Sequence, residues 1–122
     1  MSMKHCELAT LKIARQSASN YRVGAVLAKG NKILGRAFNC AKSHPNGSGR
    51  FFTLHAELRA IWRFMRITSS LKNCQLYVAR VSKTNKLGMA RPCQDCLLFI
   101  RSLGIHTIHF TSSDGRWTKE KI

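Results

Sequence analysis

The stretch PCQDCLLFIRSLG, residues 92–104, predicts a helix over residues 92–103, with its proline at the first position and its glycine just past the end. Proline suits the first position of a helix, and glycine suits the position just past its end. Strand-like segments lie on both sides, at residues 75–81 and residues 105–111. Because a helical crossover joins parallel strands, usually with right-handed connectivity, this stretch predicts an α/β fold.

The first part of the chain predicts an amphipathic helix. Over residues 4–18, apolar side chains recur at the spacing of a helix. Leu8, Leu11, Ile13 and Ala14 are expected to share its buried face.

A hairpin and a second helix are expected next. Residues 23–28 and 33–38 have the composition of strands, and the Gly-Asn turn between them predicts that they pair. Residues 39–53 are rich in turn formers and predict a loop that leads into a helix over residues 55–67. Residues 82–91 predict another loop.

The order helix, hairpin, helix, strand, helix, strand predicts a three-layer α/β/α sandwich with a mixed central sheet. Strands joined across a helix are expected to be parallel neighbours. At 122 residues the chain is expected to form a single domain, residues 1–122.

Histidine and cysteine occur in two short motifs, His55-Ala56-Glu57 and Pro92-Cys93-Gln94-Asp95-Cys96. Imidazole nitrogen and thiolate sulfur are ligand types that bind zinc. Zn²⁺ held by His55, Cys93 and Cys96 keeps a fourth position open for water, as in a catalytic site. Both cysteines fall in the first turn of the predicted helix, where backbone N–H groups stabilise thiolates. The alternative is a buried thiol pair with a helix-capping histidine.

Glu57 is not needed as a ligand, so it is the candidate catalytic residue. A carboxylate beside a metal-activated water can take one proton and deliver it elsewhere.

The charge of the chain is strongly positive, with 21 Lys and Arg against 5 Asp and Glu and a net charge of +16. Such a surface attracts polyanions. Arg50 and Phe51, at the end of the 39–53 loop, suit stacking on an unpaired base. Two alternatives stay open: a charge bias of the source proteome, and a phenylalanine that only anchors the loop in the core.

The remaining cysteines indicate a reducing compartment. Cys6, Cys40 and Cys74 are scattered, and no apolar run approaches the roughly 20 residues that span a bilayer. The start of the chain has no apolar signal segment. We therefore expect a cytoplasmic or nuclear protein with no membrane partner. A second zinc on Cys6, Cys40 or His44 is the less favoured option, and Trp117 has no assigned role.

The chain resembles the cytidine and deoxycytidylate deaminase superfamily over roughly residues 5–112. The signature H-x-E followed by P-C-x-x-C is that of zinc deaminases that act on nucleobases. Further points of match are Val23 to Val26, Gly35 to Asn39 and Gly104-Ile105. The resemblance implies zinc on the three ligands named above and Glu57 as proton shuttle.

The same resemblance implies contacts to the substrate. Asn39 is expected to touch the sugar, while the backbone of Ala56 and the side chain of Val23 frame the base. The resemblance also implies five strands, the fifth from the tail after Gly115, and relatives that often form homo-oligomers.

The substrate is the more open question. The residues before Pro92 are Ala90 and Arg91, whereas transfer-RNA adenosine deaminases usually have glutamate there and editing cytosine deaminases serine. The basic surface favours cytosine in single-stranded DNA or RNA. The alternatives are free deoxycytidylate, adenosine in transfer RNA, and a zinc-stabilised nucleic-acid-binding protein without turnover.

Overall fold

A mixed sheet between two helices organises the chain in a computed structural model, which describes residues 2–16, 22–30, 32–38, 73–92 and 94–122. The elements in chain order are α1 (Ser2–Arg15), β1 (Arg22–Lys29), β2 (Lys32–Phe38), β3 (Gln75–Val81), β4 (Leu87–Gly88), α2 (Gln94–Ser102), β5 (Thr107–Thr111) and β6 (Trp117–Lys121).

The strands form one sheet in the order β2-β1-β3-β5-β6, with β4 paired to the end of β3. β3 and β5 are parallel and are joined through α2, whereas the other pairs are antiparallel. The predicted mixed sheet and the parallel pair across residues 92–104 are therefore confirmed.

The strands on either side of the predicted 55–67 helix are not neighbours, so that part of the prediction is wrong. β1 lies between β2 and β3 and is antiparallel to both. β2 and β3 consequently run in the same direction, but the hairpin partner of β2 separates them.

Apolar side chains on the two faces of the sheet form two separate clusters. On one face, which we call the α1 face, Cys6 and Ile13 of α1 pack on Val26, Ala28 and Tyr77. The opposite face, the α2 face, is larger and includes Val23, Leu27, Leu76, Val78, Cys96, Leu97, Ile100, Ile108 and Phe110. The helices thus cover opposite faces, which confirms the three-layer arrangement.

The buried face of α1 differs from the prediction. Leu8 is 59% exposed, whereas Thr10 is fully buried beside Cys6, Ile13 and Ala14. Thr10 is accommodated because its hydroxyl donates a hydrogen bond to the carbonyl of Cys6 at 2.7 Å, which leaves no unsatisfied donor. The helix also ends at Arg15, three residues earlier than expected.

α1 lies unusually close to β1 at Gly24. A Cβ at this position would lie 2.5 Å from the Ala14 nitrogen and 2.9 Å from the Thr10 carbonyl oxygen. Glycine is therefore required here for the helix to approach the sheet.

Two short strands lie outside the four strands that the sequence pattern predicts. The expected 82–91 loop contains β4, which pairs with Arg80 and Val81 at the end of β3. The tail after Gly115 does form a strand, β6, antiparallel to β5. With β4 included, the described part of the chain forms a six-stranded sheet, whereas the resemblance implies five strands.

Trp117 at the start of β6 is half-buried and covers part of the α1 face. Its ring meets Tyr77 edge-on, with 6.2 Å between centroids. The structure therefore shows Trp117 packing on the sheet. No helix in the described ranges is long and apolar enough to cross a membrane.

Candidate metal centre and active site

Cys96 is the predicted zinc ligand that the structure describes. It is the third residue of α2, and it is buried at 4% exposure on the α2 face. The backbone N–H groups of a first helical turn favour negative charge, so this position suits a thiolate that binds a cation. No disulfide joins the cysteines in the described ranges. The donor type, burial and position of Cys96 fit a zinc site.

α2 begins at Gln94, so Pro92 lies two residues before the helix and not at its first position. Pro92 is buried. The difference changes the boundary of the helix but leaves Cys96 in the first turn.

Val23 is the second predicted site residue that the structure describes. It is 8% exposed and belongs to the same apolar cluster as Cys96. It pairs with Arg80, near the carboxyl end of β3. Val23 and Cys96 therefore lie on the same side of the sheet, which a site that includes both residues requires.

Most of the predicted site lies outside the described residues. This applies to Asn39, Arg50, Phe51, His55, Ala56, Glu57 and Cys93. Their roles stay predictions. Among the residues that are described, no three metal-ligating side chains come together.

The second zinc on Cys6, Cys40 or His44 stays a prediction, because the structure describes Cys6 alone of these three residues. Cys6 lies in the cluster on the α1 face and Cys74 in the cluster on the α2 face. Burial raises the pKa of both thiols, which favours their neutral forms. Cys40 and His44 lie outside the described residues.

Thr111 holds the segment that leads into the cysteine motif. The backbone N–H of Arg80 donates to Oγ1 of Thr111 at 3.1 Å, and Oγ1 donates to the carbonyl of Gly88 at 2.7 Å. The N–H of Ala90 donates to the carbonyl of Thr111 at 2.9 Å. Sequence analysis missed this residue, because a threonine in a strand is common and carries no motif.

Arg91, which directly precedes Pro92, is bound to the last strand. Its Nε lies 2.9 Å and its terminal nitrogen 2.8 Å from the two carboxylate oxygens of Glu120. The pair lowers the pKa of Glu120 and raises that of Arg91, chiefly through these hydrogen bonds. Sequence analysis noted Arg91 as unusual but did not identify its partner.

The buried polar groups of the α1 face form a separate network. His109 donates from Nε2 to Oε1 of Gln75 at 2.5 Å and stacks on Tyr77, with 4.2 Å between ring centroids. Burial, followed by the nearby charge of Lys119, lowers the pKa of His109 to about 4. Burial, followed by the charge of Cys6, raises that of Tyr77 to about 12. His109 is therefore a packed core histidine, and His106 is exposed.

An open cleft of about 400 Å³ lies at the amino ends of β3 and β5. It is lined by Asn73, Cys74, Gln75, Gly104, His106 and Thr107. The cysteine motif follows the carboxyl end of β3, so this cleft is at the opposite end of the strands from the candidate site.

The family model of the cytidine and deoxycytidylate deaminase zinc-binding region matches residues 2–112 of the chain. No curated protein matches significantly.

Solved structures of similar fold include two kinds of deaminase. Cytidine deaminase from Burkholderia pseudomallei matches at 18% identity and a TM-score of 0.66, over 99% of this chain and 93% of the other. The dCMP deaminase from the cyanophage S-TIM5 in its apo form matches at 24% identity and a TM-score of 0.58, over 89% and 85%. The same phage enzyme in complex with dCMP and dUMP matches at 24% and 0.56, over 93% and 82%.

Proposed function

Because the chain belongs to the cytidine and deoxycytidylate deaminases, a family of zinc-dependent enzymes, we propose that it deaminates cytosine in a phosphate-bearing substrate. Single-stranded DNA or RNA is the preferred substrate. The observation that carries this preference is the net charge of +16 on 122 residues.

The few acidic groups do little to offset that charge. Of the five acids, Glu57 and Asp95 are in the two motifs. Glu120 is bound by Arg91, and Asp114 accepts hydrogen bonds from Ser112 and the N–H of Arg116. Exposed lysines and arginines therefore dominate the described surface, and they suit contact with successive phosphates.

The ligands of the zinc are proposed to be His55, Cys93 and Cys96, and the burial of Cys96 at the start of α2 supports the last of them. When bound, zinc supplies a Lewis acid that makes water nucleophilic near neutral pH.

Glu57 is proposed to carry the protons of the reaction. Its carboxylate takes a proton from the attacking water and delivers it to ring nitrogen N3 of cytosine. The water oxygen adds to C4. Glu57 then takes the remaining proton from this oxygen and passes it to the exocyclic amine, and the bond between C4 and that amine breaks. The products are uracil and ammonia.

Orientation of the substrate is proposed to depend on Asn39 at the sugar, and on Ala56 and Val23 around the base. The position of Val23 on the α2 face, in one cluster with Cys96, supports its part. Arg50 and Phe51 are proposed to hold a neighbouring base by stacking.

Free deoxycytidylate is the second candidate substrate. It is favoured by the similarity of fold to a phage dCMP deaminase in complex with dCMP and dUMP. A single phosphate also fits a basic site, but it offers far fewer contacts than a polynucleotide.

The deciding experiment measures uracil formation on a single-stranded oligonucleotide with one cytosine, on dCMP and on cytidine. We expect the oligonucleotide to react fastest, with a KM that rises steeply with salt, since each phosphate contact releases a counterion. A protein that deaminates only dCMP, with no binding to strands at physiological salt, would show the preferred substrate to be wrong. An RNA with one adenosine, scored for inosine, tests the transfer-RNA type of activity.

Glu57→Ala tests the assignment of the proton carrier. Loss of a general acid–base group should lower kcat by about 10²–10⁴-fold while zinc content and Tm stay unchanged. Zinc is measured by atomic emission and turnover by uracil release. Normal turnover in this variant would contradict the role of Glu57.

Three further expectations stay proposals. The chain is expected to act as a single domain over residues 1–122, in the cytoplasm or nucleus, and to form homo-oligomers. Limited proteolysis, fractionation of a tagged protein and light scattering test them in turn.

A further inference from the structure

The carboxyl end of β3 extends beyond its pairing with β5, and there β3 pairs with β4. The parallel ladder with β5 ends at Val78, which pairs with Phe110. Beyond it, Arg80 and Val81 pair with β4. At this change of partner the N–H of Arg80 and the carbonyl of Gly88 both point to one atom, Oγ1 of Thr111.

A threonine hydroxyl is suited to this place because it accepts one hydrogen bond and donates another. Thr111 is fully buried, so neither of the backbone groups has water as a ready substitute on that side. The carbonyl of Thr111 adds a third bond, from the N–H of Ala90. Thr111 thus joins β3, β4 and Ala90 through three hydrogen bonds.

The next residue is held independently. Arg91 binds both oxygens of Glu120 in a two-point contact, which fixes direction as well as distance. Ala90 and Pro92, on either side of Arg91, are buried. Every residue of the segment 88–92 except Met89 is therefore held by a hydrogen bond or by packing on the sheet.

We propose that Thr111 and Glu120 are positioning residues of the zinc site, which hold the segment 88–92 so that the two cysteines that follow it can bind the metal. The inference rests on the proposed assignment of Cys93 and Cys96 as ligands. Neither positioning residue touches the metal; each acts through the backbone or side chain of the segment.

The physical reason is that only a few residues separate these hydrogen bonds from the two cysteines. Cys93 follows Arg91 by two residues, so a displacement of the segment is expected to displace this cysteine by nearly the same distance. Metal–ligand distances tolerate only about 0.2 Å. Loss of the groups that orient metal ligands typically lowers metal affinity by about 10–100-fold.

The test compares zinc affinity, measured by competition with a chromophoric chelator, in Thr111→Val and Thr111→Ser. Valine keeps the shape and removes the hydroxyl, so affinity should fall by about 10-fold or more. Serine keeps the hydroxyl and should stay within about threefold of the original protein. Thr107→Val, at the other end of the same strand, is the matched control and should leave zinc affinity unchanged.

A second control separates positioning from general loss of stability. Ile13→Ala removes core packing under α1, on the other face of the sheet. It should lower Tm without changing zinc affinity. If it weakens zinc binding as much as Thr111→Val, the effect is one of stability alone and the inference is wrong.

Glu120→Gln tests the ion pair between Arg91 and Glu120. Zinc affinity should fall by less than in Thr111→Val, and the fall should shrink in 1 M salt because the exposed ion pair is screened. The effect of Thr111→Val should not depend on salt. If Thr111→Val fails to fold, Glu120→Gln and Thr111→Ser provide the test. Unchanged zinc affinity in Glu120→Gln at low salt would then overturn the inference.

Cys96→Ser shows which idea has failed. If it abolishes tight zinc binding while Thr111→Val and Glu120→Gln keep it, the ligand assignment stands and positioning is wrong. If Cys96→Ser itself binds zinc normally, the proposed ligand set is wrong and the positioning role falls with it.

Discussion

The two faces of the sheet both bury groups that can react, yet only one has the surroundings of a reactive site. On the α1 face, Cys6, Tyr77 and His109 have pKa values shifted by burial toward their neutral forms. Tyr77 and His109 share Oε1 of Gln75 as a hydrogen-bond acceptor. The Cys6 thiol donates to the carbonyl of Gly30. On the α2 face, Cys96 lies in the first turn of a helix, among apolar side chains.

The difference shows that burial alone does not make a chemical site. A buried polar group that is satisfied by fixed neighbours contributes to the fold and has no capacity left for a ligand. A sulfur at the start of a helix is in an electrostatic environment that favours its ionised, metal-binding form. Three predictions test this contrast.

The largest expected effect is on zinc content. Cys96→Ala should remove tightly bound zinc and with it uracil formation, because the two other proposed ligands alone would hold the ion poorly. Cys6→Ala, which removes an equally buried thiol from the α1 face, should keep a full complement of zinc. Atomic emission on the purified proteins is the measurement. Equal zinc loss in both variants would remove the distinction between the faces.

The next effect is on stability at the α1 face. Gly24→Ala forces a methyl group into the backbone of α1 and should destabilise the protein by about 3 kcal/mol. Gly88→Ala is the comparison, since its new methyl group meets only the side chain of Arg80 at 3.3 Å. Chemical denaturation of both variants measures the free energy of unfolding, and a smaller loss in Gly24→Ala than in Gly88→Ala would contradict the close approach.

The smallest effect is the dependence of stability on pH. His109 has a pKa of about 4 in the folded protein against 6.5 when unfolded, so the unfolded chain binds more protons between these values. The contribution of His109 to the free energy of unfolding should be fully present above pH 6.5. The free energy of unfolding should fall by about 2–3 kcal/mol as the pH drops to 4.

His109→Gln is the control, because it removes the titrating group and should flatten this part of the profile. Denaturation curves at several pH values measure the slope. An equally steep fall in the variant would mean that other groups cause it.

The regular elements were largely predictable because their signals are local. β3 has the predicted bounds, 75–81, and its alternating side chains do divide between the two faces. The hairpin of β1 and β2 follows from the turn between them. In α1, however, Leu8 and Thr10 exchange the burial that hydropathy predicts, since the hydroxyl of Thr10 is satisfied by its own helix.

The short strands were harder to predict because their stability comes from distant partners. β4 has two residues, too few for a periodic pattern, and exists because the end of β3 lies beside it. β6 is mostly polar, so its pairing with β5 rather than its composition makes it a strand.

The chemistry of the site was predictable in type, because ligand residues must have particular side chains at particular spacings. The supporting residues were not. Thr111 and Glu120 act through contacts with residues 23 and 29 positions away, which no local pattern encodes. The hint that the sequence does offer is the place of Glu120 between Lys119 and Lys121.

The outer strands have a consequence for how copies of the protein meet. β2 exposes Lys32 and Arg36, and β6 exposes Lys119 and Lys121. Cations along a sheet margin discourage the unpaired backbone from recruiting another strand, and like charges on two approaching molecules repel. Continuous growth of the sheet into fibrils is thereby opposed.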